Sequence, residues 1–155
     1  MRRIAAKLLI GVAVTAIGMF GADVSAGTWK YSIGQSTTTS ANPIKSQTDV
    51  REITAEGGVK ITRSGELTDG TKVDYSMSFA YDGKAYPVTG APFDTITASR
   101  VDANTTSFAV KKTGGKYHVT GRTVVSKNGK TLVQTSKGTD AAGKPISSRI
   151  VFDKQ

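Results

Sequence analysis

The chain has 155 residues, with 21 Lys and Arg against 12 Asp and Glu, a single histidine and no cysteine. That composition excludes disulfides and thiol chemistry, and one histidine falls short of the three or four ligands a transition-metal site takes. A net charge of +9 would suit nucleic acid, but the cations stand singly among turns and alternating strands, with no basic run and no interleaved aromatics, so nucleic acid is not the expected partner.

The chain opens with Arg2, Arg3 and Lys7 and then runs uncharged from Leu8 to Phe20, the basic head and apolar middle of an export signal. As a helix that run spans roughly 20 Å, short of the ~30 Å hydrocarbon core of a bilayer, so no stable membrane insertion is expected. Val24-Ser25-Ala26 offers the residues an export peptidase reads, which puts the cut after Ala26 and leaves one domain, residues 27–155, in the periplasm or secreted. With no cysteine there is no lipoprotein route, and Ile4-Ala5-Ala6 after the arginine pair does not fit the twin-arginine motif. The cut removes three cations (Arg2, Arg3, Lys7) and one anion (Asp23), so 21 and 12 fall to 18 and 11 and the net charge to +7. A monomer is expected, with weak attraction to anionic envelope surfaces.

After the cut, Thr28 to Ser32 reads as a first strand, and Gln35 to Gln47, rich in Ser, Thr, Asn and Pro, as a long loop or poorly ordered early hairpin. Val59 to Leu67 follows as a β-branched run. Val73 to Tyr81 is the clearest element, alternating large apolar with small or polar residues over nine positions, the mark of a strand with one buried face. Asp94 to Val101, Thr105 to Lys111, Tyr117 to Val125, Lys130 to Gly138 and Ile146 to Phe152 continue the series. Turn chemistry separates them, at Thr68-Asp69-Gly70, Tyr81-Asp82-Gly83-Lys84, Thr113-Gly114-Gly115 and Lys127-Asn128-Gly129-Lys130 among others, because Asn-Gly and Asp-Gly accept positive φ cheaply. No helical period is visible after residue 26. About nine or ten strands in an antiparallel meander leave two raw edges unless the sheet curls until first meets last, so an all-β, closed or nearly closed up-and-down barrel is predicted.

Gly27-Thr28-Trp29-Lys30 resembles the Gly-x-Trp signature of the lipocalin and fatty-acid-binding-protein superfamily. The last strand, Ser147 to Lys154, is also similar to that superfamily, and the phrase Tyr81-Asp82-Gly83-Lys84-x-Tyr86-Pro87-Val88-Thr89-Gly90 is similar to the small exported lipocalin-like proteins of bacteria. The resemblance implies a barrel whose closed end is packed by Trp29, and non-covalent binding of a small apolar or amphipathic ligand. The chain departs from the family in having no helix pair after the first strand and in placing Phe152 three residues after Arg149.

With apolar faces inward, Tyr75, Met77, Phe79, Tyr81, Phe108 and Tyr117 line the interior, as a ligand wall or as plain core packing. Arg100 shares its face with Ile96 and Ala98 and is the candidate grip for a ligand's carboxylate or phosphate, since an inward cation needs an anionic partner. Arg149 lies opposite Ile150 and Phe152 and should point outward, and His118 should face solvent. There is no nucleophile-elbow spacing and no glycine-rich phosphate loop, so no enzyme, catalytic residue, metal or cofactor is expected. The alternative to ligand binding is a cavity-free barrel acting through its basic surface. A void of roughly several hundred Å³ distinguishes the two.

Overall fold

The structure, a computed structural model, describes residues 23–155. The export-signal reading of residues 1–22 lies outside the described residues. Eleven strands follow: β1 (Gly27–Tyr31), β2 (Thr37–Thr38), β3 (Ile44–Ile53), β4 (Val59–Leu67), β5 (Lys72–Phe79), β6 (Asp82–Pro87), β7 (Thr95–Arg100), β8 (Thr105–Lys111), β9 (His118–Val125), β10 (Thr131–Thr139) and β11 (Pro145–Lys154). They form one antiparallel sheet in the order β5-β4-β3-β1-β11-β10-β9-β8-β7-β6, with β2 added to β11 beside β1. The first long strand meets the last at Trp29↔Lys154, so the meander curls on itself. One seam stays without a hydrogen-bonded ladder, between β5 and β6, which are consecutive in the chain. The result is the nearly closed all-β barrel predicted.

Two segments differ from the sequence reading. β3 begins at Ile44, inside the expected loop, and pairs with both β1 and β4. Its alternation is inverted: Gln47, Asp49 and Arg51 are buried while Val50 and Ile53 are exposed, so a rule that puts apolar residues inside does not find it. β6 takes in most of the expected turn Tyr81-Asp82-Gly83-Lys84. Only Ala80 and Tyr81 separate it from β5, and Gly83, at φ 75°, sits where the β6–β7 register shifts, an irregularity of the kind glycine permits.

Bending into a barrel needs corners where side chains are missing. A Cβ on Gly138 would run into the His118 carbonyl, and one on Gly121 would meet the Phe108 ring at 2.7 Å. Glycine there lets β9 and β10 close up tightly and gives Phe108 its seat.

The interior holds two apolar clusters. One joins Val59, Ile61, Met77, Phe79, Val88, Phe93, Ile96, Ala98, Val110 and Val119. The other gathers Trp29, Val125, Leu132, Ile150 and Phe152, with Val24, Tyr31 and Ile44 against it. Trp29 has no exposed surface at all. Buried polar side chains from β3 and β9, with the half-buried Arg63 of β4, complete the interior.

Candidate functional site

Cross-strand register assembles the polar interior. Asp49 on β3 stands opposite Arg63 on β4, which stands opposite Tyr75 on β5. Arg63 donates from Nε to Asp49 Oδ1 at 2.9 Å and from Nη2 to Oδ2 at 2.7 Å, and its Nη1 donates to the Tyr75 hydroxyl at 3.1 Å. Gln47 adds an amide donor to Asp49 Oδ1 at 2.9 Å. Burial works against the Asp49 carboxylate, yet the Arg63 guanidinium outweighs it and holds the Asp49 pKa below the ordinary value. The same pairing, against the cost of burial, raises the pKa of Arg63. Both groups are therefore ionised at neutral pH.

Arg51 is the group this pair leaves over. It is 5% exposed, its Nη2 lies 4.0 Å from Asp49 Oδ2, and its buried Nε has no hydrogen-bond partner. Burial pulls its pKa down, although not enough to discharge an arginine. One carboxylate thus faces two guanidinium groups, and the barrel interior carries a surplus positive charge.

That charge borders a cavity of about 130 Å³. Met77, Phe79, Tyr81, Phe93, Phe108 and Tyr117 supply its apolar wall, and Arg51, Arg63, Thr123 and Gln134 its polar one. Such a void exceeds the roughly 30 Å³ share of one liquid water but falls below the roughly 300–1,000 Å³ of pockets for drug-sized ligands. It is also smaller than the ligand reading of the sequence anticipates. Phe93 helps to keep it small. The Val88–Phe93 loop folds over the barrel, and the Phe93 ring, 6% exposed, meets Tyr75 edge-on at 6.0 Å and stacks on Tyr117 at 6.0 Å. Burial raises the pKa of Tyr81 and of Tyr117, so both phenols stay protonated donors at neutral pH.

Of the residues named from sequence, Met77, Phe79, Tyr81, Phe108 and Tyr117 line this cavity, and Tyr75 packs beside it with its hydroxyl on Arg63. Arg100 does not line it. It ends β7, where the guanidinium bends to the rim, 2.9 Å from Asp23 and 4.4 Å above the Tyr81 ring, with a third of the side chain exposed. The inward arginines are Arg51 and Arg63, both missed. The spacing Gln47-x-Asp49-x-Arg51 was the available signal, three polar residues on one strand face. Phe93 was missed because it belongs to no alternating run. Arg149 points outward, its Nη1 donating to the Gln35 carbonyl at 2.9 Å, and His118 is exposed.

A second concavity lies on the outer face of β8 to β11 and β2. It is an open hollow of about 750 Å³ bordered by Arg122, Lys137 and Arg149 together with Thr37, Thr120 and Thr135, with no carboxylate in its lining.

No family model matches the sequence, and no curated protein matches it either. Solved structures do match its shape. The fluorescent protein UnaG superposes with a TM-score of 0.57 at 12% identity, over 84% of this chain and 97% of that one. A variant of the same protein gives 0.54 at 15% identity, over 85% and 96%. The shared fold is a nearly closed, fatty-acid-binding-protein-like β-barrel. At these identities the likeness shows the fold alone, so a functional reading of this barrel rests on its own interior.

Proposed function

We propose that the protein, once exported, binds a small amphipathic molecule non-covalently inside the barrel. The apolar part lies against Met77, Phe79, Phe93 and Phe108, and an anionic or hydrogen-bond-accepting head meets Arg51. The observation that carries this reading is the Arg51 guanidinium, buried on the cavity wall with its Nε unpartnered. A buried donor left unsatisfied costs about 1–3 kcal/mol, more when it is charged, and a ligand acceptor recovers that cost on binding. The void of about 130 Å³ favours a short chain or a single ring over a long-chain lipid.

The test is native mass spectrometry of protein recovered from the export compartment, followed by organic extraction. A small amphiphile that co-purifies and is lost in an Arg51→Gln variant is the expected result. A bare mass, together with no response to short carboxylates or alcohols in NMR titration, refutes the reading. In that case the cationic outer hollow favours the second reading, an envelope protein acting through its basic surface.

A further inference from the structure

The four residues ahead of β1 fold back as a strap across one end of the barrel. The Ala26 amide donates to the Asp23 carbonyl at 3.0 Å, and the Ser25 amide to Asp23 Oδ1 at 2.8 Å. The Trp29 indole donates to the Ser25 carbonyl at 2.8 Å in a buried contact, and Val24 packs on the Trp29 cluster. The strap delivers one charge to the rim. The Asp23 side chain is 8% exposed and its Oδ2 accepts from Arg100 Nη2 at 2.9 Å. The same Arg100 guanidinium lies over Tyr81, whose ring lines the cavity alongside Arg51. Asp23 also acts electrostatically on both Arg51 and the Tyr81 phenol.

We infer that the rim beside Tyr81, where Arg100 stands outside the cavity that Arg51 lines, is a carboxylate-binding site, which the uncut chain occupies with its own Asp23 and which cleavage after Ala26 frees for a ligand. This rests on the ligand-binding reading above and adds the ligand class and its control. Cleavage adds one water across the Ala26–Gly27 peptide bond, leaving a carboxylate on Ala26 and an amine on Gly27, with the export peptidase as catalyst. Asp23, Val24 and Ser25 depart together. Arg100 loses its only ion-pair partner among the described residues, so an uncompensated cation stands at the rim, across Tyr81 from the cavity that Arg51 lines. A short-chain carboxylate then finds the Arg100 guanidinium free where the Asp23 carboxylate stood before.

The experiment titrates three forms with hexanoate, and with 1-hexanol as a neutral probe of the same chain length, followed by NMR. The forms are the full chain with the cut blocked by Ala26→Gln, that chain also carrying Asp23→Asn, and the processed chain, its N-terminus read by mass spectrometry. A charge-assisted hydrogen bond contributes about 1.5–3 kcal/mol, so the Asp23→Asn and processed forms should bind hexanoate about tenfold or more tighter than the blocked chain, with hexanol unchanged. Arg100→Gln in the processed chain should remove the gain. Equal hexanoate affinity in all three forms overturns this inference and leaves the binding reading standing. No binding of either probe by any form overturns both. A processed chain that still begins at or before Asp23 overturns the release step.

Discussion

Asp49 and Arg63 face each other across β3 and β4 and share two hydrogen bonds, at 2.9 and 2.7 Å, inside the barrel. Asp49 is 1% exposed and Arg63 14%, so the carboxylate has no water to fall back on. Replacing one partner strands the other, at a typical cost of about 3–5 kcal/mol for a buried pair. Asp49→Ala leaves two uncompensated arginines and should lose that much in urea unfolding. A loss near the ~0–1 kcal/mol of a surface ion pair would show that the pair is solvated in solution.

The same carboxylate makes stability depend on acid. Its pKa is lowered on folding from 3.8, so its contribution is present above the unfolded value and is lost as pH falls through the folded one. Melting temperature should hold steady from neutral pH down to about 5 and then fall, most steeply below 3.8. Glu66, held down to about 2 by hydrogen bonds from Lys45 and Lys72, is paired with two exposed lysines and should add little. Asp49→Asn should flatten the acid limb of the melting curve, and an unchanged limb would assign the acid sensitivity to other carboxylates.

Trp29 is the only tryptophan, fully buried, with its indole N–H on the Ser25 carbonyl and the Lys154 ammonium 5.3 Å from its ring. In the chain that keeps residues 23–26, its emission should be that of an indole shielded from water and should shift to the red only on unfolding. Trp29→Ala should cost about 3–5 kcal/mol through the cavity it leaves. A water-exposed emission maximum in the native protein would contradict the packing of this cluster.

Phe93 fills the space between Tyr75 and Tyr117. Phe93→Ala should also cost about 3–5 kcal/mol, but it enlarges the cavity it now limits. Decanoate, too long for the wild-type void, should bind the variant more tightly than the wild type. If decanoate affinity is the same in both, Phe93 does not set the size of the chamber.

Much of the barrel was legible because its strands obey a local rule. Tyr75, Met77, Phe79 and Tyr81 recur every second residue, and so do Val119, Gly121, Thr123 and Val125. Asn128-Gly129 marks its turn by the chemistry of positive φ, realised at 70° for Gly129. The apolar wall of the cavity, Phe93 apart, was legible for the same reason. β3 was not, because alternation says which residues share a face but not which face turns inward. In β3 the face that turns in is Gln47, Asp49 and Arg51.

The sequence by itself determined an all-β chain of hairpins with a tryptophan in its first strand, since period, turn residues and the need to cover sheet edges are all local or general constraints. The tertiary structure alone decided where charge goes. Asp49 can be buried because Arg63 arrives opposite it from the next strand, Arg51 stays unsatisfied because Asp49 is already taken, and Arg100, inward by period, escapes to the rim because its strand ends there. Each outcome depends on a partner brought in by pairing register, and the free energy of a buried charge belongs to the pair rather than to either residue.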